Sequence, residues 1–161
     1  MERDGKITIL NSSTAKTCLG FLLLATGCLI YLLFRSKTLY IYVWCKALGL
    51  STFVDAFREN MQNRNVSDFV RFSLPDGFYC AAYILMIDAI WHDDNRKVKY
   101  IILSLVPIIT VVSEILQFYG VVRGTFDVMD LLCYLIPPIA YIMITFINNS
   151  SFGSAMQPPL I

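Results

Sequence analysis

Apolar residues along this chain come in long blocks separated by short polar breaks. The first block, "CLGFLLLATGCLIYLLF", follows Lys16 and stops at Arg35 and Lys37. A second covers about residues 74–91 and is closed by "HDDNRK"; a third covers about 100–119, and a fourth about 127–147. At about 1.5 Å per helical residue, each block can cross a hydrocarbon layer of about 30 Å. The pattern predicts four transmembrane helices.

The connection between the first two blocks has a different character. "TLYIYVWCKALGL" is too short to span and rich in Tyr and Trp, which predicts a helix lying in the membrane interface. On that reading Tyr40, Tyr42 and Trp44 are belt residues. "STFVDAFRENMQNRNVSDFVRF" is polar with an apolar beat at Phe53, Phe57 and Met61, the pattern of a second surface helix. "SLPDG" sets a proline and an acid at a helix entrance, where a missing N–H is harmless and the dipole favours Asp76. "GTFD" opens the fourth span with Thr125 or Asp127 as cap. Pro107 and the Pro137–Pro138 pair fall inside spans and predict bends there. The first block lacks an A-x-A exit, and "LIYLLF" continues directly after "LATGC", so it reads as a retained span rather than a cleaved signal. The expected architecture is an all-α membrane protein. Residues 1–147 form one four-helix transmembrane domain with an interfacial helix in its first loop, and 148–161 form a flexible tail.

Composition agrees with the blocks: 57% of the 161 residues are hydrophobic and 14% aromatic, with a mean hydropathy of +0.61. A chain of this size could not hide so much apolar surface in one water-soluble core. A net charge of about +1 supplies no long-range attraction for nucleic acid. The five cysteines are scattered through apolar runs without C-x-x-C spacing and read as small buried hydrophobes; lone His92 reads as a loop residue. No cofactor and no protein metal site are expected. Basic residues are nearly balanced between the two sides. The packing of Arg96, Lys97 and Lys99 into one short hairpin favours cytoplasmic termini.

Counting crossings brings a set of polar residues to one membrane face. The first and third spans end there, and the second and fourth begin there. Asp76 and Tyr79 therefore share a face with Arg35, Glu114, Gln117, Arg123, Asp127 and Asp130. Glu114 lies about 7.5 Å inside the end of its helix, with Gln117 on the same side of it. Asp127, Asp130 and Tyr134 form one stripe, and Asp76, Tyr79 and Tyr83 another. An acid near a helix centre costs about 2.5–3.5 kcal/mol on insertion scales, and the surrounding Ile, Leu, Val and Phe offset it. Glu114 should therefore face the bundle and find a partner, water or a proton. Simpler roles remain open for each residue. Asp76, Asp127 and Asp130 can serve as helix-end acids, Arg123 can sit among headgroups, and Glu114 and Gln117 can join helices. Asp88, near the opposite end of the second span, reads as an interfacial outlier.

"SEILQFY" followed by "RGTFDVMDLLCY" resembles the signature of VanZ-like small membrane proteins: a Glu, a Gln three residues on, a loop with Arg, and an Asp opening the last helix. On this chain these are Glu114, Gln117, Arg123 and Asp130. "FDVMDLLCY" and "LPDGFYCAAY" also look like a related group of four-helix membrane proteins. The chain departs from the VanZ-like pattern in carrying Tyr134 and the Pro137–Pro138 pair in place of Asn and Gly, and "LPDG" in place of a His-Phe pair. The resemblance implies a four-helix membrane fold in a bacterial plasma membrane and a link to glycopeptide-antibiotic (teicoplanin) resistance or envelope-stress tolerance.

Three functional classes compete. The first is a non-enzymatic protein binding an envelope lipid or glycolipid headgroup through Glu114, Gln117, Arg123, Asp127, Asp130, Asp76 and Tyr79. The second is a lipid-modifying enzyme with Glu114 as base and a divalent metal on Asp127 and Asp130, which lacks an obvious nucleophile. The third is a small proton-coupled transporter, for which a homodimer would supply eight spans. The partners expected are membrane lipids and a second copy of the chain, not nucleic acid.

Overall fold

The computed structural model describes residues 12–62, 64–92 and 97–155, with the side chains of 62 and 148–155 left aside. The described residues are helical with no strand: α1 (Ser13–Phe34), α2 (Tyr40–Ala47), α3 (Ser51–Gln62), a π-helical turn (Phe69–Ser73), α4 (Leu74–Ile90), α5 (Lys97–Phe118) and α6 (Val128–Ala155). Three of these, α1, α5 and α6 over Val128–Ile147, are long and apolar enough to cross a membrane. The second expected span, α4, has 17 residues, about 26 Å of helix, and continues directly from the π turn. Helix α6 runs to Ala155, past the expected boundary at Ile147. The remainder of the expected tail lies outside the described residues, as do Arg3, Lys6, Asp93, Asp94 and Arg96.

Helix α4 is the axle. It packs on α1 along one side and on α5 and α6 along the other. Its run of small residues explains the position: Cys80, Ala82 and Ala89 are buried, with Ile84 and Pro75 beside them. The approach of α1 is closest where α1 has glycine. A Cβ on Gly20 would stand 2.7 Å from Met86 Cγ, and one on Gly27 would stand 3.0 Å from the Tyr79 ring. These two positions lie two helical turns apart, so α1 presents one glycine-lined strip to α4.

Pairings fix the directions. Ser13 donates to the Ala89 carbonyl (2.8 Å) near one end of α1 and Tyr31 to Asp76 (2.8 Å) near the other, so α1 and α4 are antiparallel. Cys80 Sγ lies 3.7 Å from the Tyr134 carbonyl and Tyr141 donates to Asp88 (2.8 Å), so α6 runs parallel to α4. Tyr83 donates to the Ile102 carbonyl, near the start of α5. The bundle thus has two rims. The first gathers the ends of α1 and α5 with the starts of α4 and α6. The second gathers the starts of α1 and α5 with the end of α4.

Helices α2 and α3 fold back as a hairpin at the first rim. Arg58 of α3 is 6% exposed and donates to the carbonyls of Leu32 and, at 2.7 Å, Arg35. These are among the last carbonyls of α1, which the helix itself leaves unpaired. Asp55 clasps the hairpin, accepting from Lys37 (2.7 Å) and from the Tyr42 hydroxyl (2.9 Å). Trp44, Leu48, Phe53 and Phe57 remain exposed on it.

Candidate functional site

The first rim holds the polar residues singled out in the sequence. Asp76 stands in the first turn of α4, just after Pro75, where acids complement the helix dipole. Its Oδ1 accepts from the Tyr31 hydroxyl at 2.8 Å, and the Tyr134 side chain faces the same carboxylate from α6. Asp76 therefore ties α4 to α1, with Tyr134 of α6 beside it. Arg35 sits beside this group, its Cζ 5.0 Å from the Tyr31 ring centre and 5.1 Å from that of Phe72.

Glu114 occupies the centre of the rim and is 5% exposed. Its carboxylate lies against the backbone N–H of Asp127, at the start of α6, with Asp130, Asp76 and Asp127 as its charged neighbours. Glu114 Oε2 is enclosed without a protein hydrogen-bond partner, and so is Asp130 Oδ1. An enclosed carboxylate oxygen without a donor is penalised by desolvation. Each of these oxygens is an acceptor left open to a donor group.

The other expected site residues are arranged differently. Asp127 is exposed and accepts from the Met129 N–H at 2.8 Å, so it caps α6. Gln117 reaches Ser113 Oγ at 3.5 Å, and its carboxamide packs on Gly124 where a Cβ would otherwise stand; the φ of 151° at Gly124 disfavours a side chain there. Gln117 thus holds the α5–α6 loop. Arg123 is exposed on that loop, and among the described residues no ion pair joins it to Glu114 or Asp130. Tyr79 turns towards α1: its hydroxyl lies 3.7 Å from Cys28 Sγ and its ring 5.5 Å from that of Tyr31. The rim therefore brings together Asp76, Glu114 and Asp130 with Asp127 beside them, flanked by Tyr31 and Tyr134. Gln117, Arg123 and Tyr79 lie around this group. Among the described residues no three His, Cys, Asp or Glu side chains are placed to hold a metal ion, which leaves the Asp127/Asp130 metal reading without a third acidic or imidazole ligand there.

A second polar centre lies at the other rim, around the residue read from sequence as an outlier. Asp88 is 4% exposed. Its carboxylate pairs with Lys16 Nζ (2.6 Å) and Lys99 Nζ (2.7 Å) and accepts from Tyr141 (2.8 Å). One carboxylate thereby joins α1, α4, α5 and α6. The signal was present in the sequence: counting crossings puts Lys16, Asp88 and Lys99 on one side, as it does Asp76, Glu114 and Asp130 on the other.

No protein-family model matches this chain, and neither a curated protein nor a solved structure matches it.

Proposed function

We propose that this is a four-crossing membrane protein of VanZ-like type that binds the headgroup of an envelope lipid or glycolipid at its first rim, without catalysing a reaction on it. The fourth crossing is α4, which with the π turn forms a helical run over Phe69–Ile90. Support for a lipid surrounding comes from the outer faces of the other helices. Phe21, Leu22, Ile101, Ile108, Ile142 and Phe146 are all exposed, an apolar belt that water would penalise. The α2–α3 hairpin, with Trp44 and Phe53 exposed, would lie along the interface. A bacterial plasma membrane and a part in glycopeptide or envelope-stress tolerance are suggested by the motif, and cytoplasmic termini by the run of Arg96, Lys97 and Lys99.

The observation that carries the reading is the pair of enclosed, unpartnered oxygens, Glu114 Oε2 and Asp130 Oδ1, at a rim where a headgroup would lie. They are acceptors, so they suit a ligand with hydroxyl or amine donors. Arg123, exposed on the adjoining loop, would take a phosphate of the same headgroup.

Native mass spectrometry of the protein extracted from its membrane tests this. The wild-type chain should retain a lipid that Glu114→Gln and Asp130→Asn each lose, and Arg123→Ala should weaken retention. Equal lipid retention by all four proteins would remove the proposal. The same two carboxylates favour a second reading, a proton-coupled transporter. It predicts proton flux in proteoliposomes that Glu114→Gln abolishes.

A further inference from the structure

We infer that the first rim carries a second site of opposite charge, formed by Arg35, Arg58 and Arg71, that takes the phosphate of an anionic phospholipid. The inference shares with the proposed function the placement of this rim at the membrane surface. It does not depend on the carboxylate pocket.

Arg35 and Arg71 share the seam between the end of α1 and the π turn, and Arg58 reaches the same end of α1 from α3. Arg35 stands over Phe72 (5.1 Å) and Arg71 over Phe34 (5.5 Å), so each arginine stacks on the ring next in sequence to the other. This cross-lacing holds both planes on one seam. Arg58 arrives from α3 and is anchored by its terminal nitrogens to the Leu32 and Arg35 carbonyls. Aromatic faces and carbonyls stabilise guanidinium groups, but they do not neutralise them.

Carboxylates lie nearby but do not pair with these arginines: Asp76, beside Arg35, accepts from Tyr31 instead. Among the described residues none of the three arginines has a carboxylate within ion-pairing distance. The nearby Asp55 is committed to Lys37 at 2.7 Å and to Tyr42. In all three arginines the Nε–H is enclosed with no acceptor. Arg58 is itself 6% exposed, so its unused donor is buried and not merely solvated. Like charges gathered around the end of α1 repel each other, and donors without acceptors are penalised by desolvation. A phosphate at the α1–π turn seam offsets both, because its oxygens can accept from Arg35 and Arg71 and its charge counters that of Arg58 beside them.

The surroundings name the source of that phosphate. The seam lies where the apolar α1 ends, and the hairpin beside it exposes Trp44, Leu48, Phe53 and Phe57. Such side chains lie at the acyl–headgroup boundary, the level at which a bilayer presents its phosphates.

The test uses the full chain purified in detergent and titrated with short-chain phosphatidylglycerol, with phosphatidylcholine of the same chain length, and with inorganic phosphate. Binding is read by native mass spectrometry and by the rise in Tm. Phosphatidylglycerol should bind about tenfold more tightly than phosphatidylcholine. The Arg35→Gln/Arg71→Gln double variant should bring that ratio close to one, and Glu114→Gln should leave it as in the wild type. Arg35→Lys/Arg71→Lys, which keeps charge but loses the fork, should fall between. Equal binding of the two lipids by the wild-type protein would overturn the inference without recourse to any variant. Loss of selectivity in Glu114→Gln would assign the anion preference to the carboxylate pocket and overturn a separate site. Saturation by inorganic phosphate with no preference among lipids would overturn the lipid source.

Discussion

Lys16 Nζ lies 2.6 Å from the Asp88 carboxylate across the α1–α4 interface, at the rim opposite the candidate site. Lys99 reaches the other oxygen of the same carboxylate, so two ammonium groups share one buried counter-charge. Removing it is the severe change. Asp88→Asn should destabilise the protein by about 3–5 kcal/mol, read as a lower Tm in detergent. Replacing Lys16, Asp88 and Lys99 together by Met, Leu and Met should recover most of that loss, since a matched apolar set carries no desolvation penalty.

The glycine strip of α1 gives a graded prediction. A methyl at Gly20 meets the Met86 side chain, which can rotate away, whereas a methyl at Gly27 meets a Tyr79 ring already held by Tyr31 and Cys28. Gly27→Ala should cost about 1–3 kcal/mol and Gly20→Ala less. Equilibrium unfolding of the two variants checks the order.

The clasp of the hairpin sets a pH window. The hydrogen bond from Lys37, and after it that from Tyr42, holds the Asp55 carboxyl below its ordinary value; the same hydrogen bond raises Lys37. A depressed carboxyl contributes stability that is present above its unfolded value of about 4 and lost as pH falls through the folded one. A raised ammonium contributes below about pH 10.4 and loses its contribution as pH rises through its folded value. The clasp is therefore closed between these limits. Trp44 emission in a Trp91→Phe background should change as the solution is acidified below about pH 4. Asp55→Asn should flatten that change, and high salt should reduce it, because the pair faces solvent.

Arg58 gives a prediction that is local. Its two terminal nitrogens occupy carbonyls at the end of α1. Arg58→Ala should cost about 1.5–3 kcal/mol. Hydrogen exchange should quicken in the last turn of α1 and in the hairpin while the centre of α4 remains protected. Arg58→Lys, a single donor group, should give an intermediate result.

The helices were legible because length and apolarity are properties of contiguous residues. The first and third spans, expected over about 17–34 and 100–119, end within one residue of Ser13–Phe34 and Lys97–Phe118, which start three or four residues earlier. The convergence of Asp76, Glu114 and Asp130 was legible from counting crossings alone. Roles that depend on rotation about a helix axis were not. Tyr79 shares a stripe with Asp76, yet its ring lies between α1 and α4, because Gly27 opens a space there. Gln117 was placed on the Glu114 side of α5, but the conformation of Gly124 brings the loop back under its carboxamide. The capping of α1 by Arg58 has no local signature, since donor and acceptors are separated by a whole hairpin.

That last contact changes what the long connection between α1 and α4 is. A strand of that length could have been a slack tether, free to swing, but the guanidinium fork makes it a strap buckled to the end of the first rod. Lifting the strap means unbuckling the rod, so a pull on the hairpin is felt first by the terminal turn of α1. Tyr31 and Arg35, which border the acidic cluster, stand at that turn.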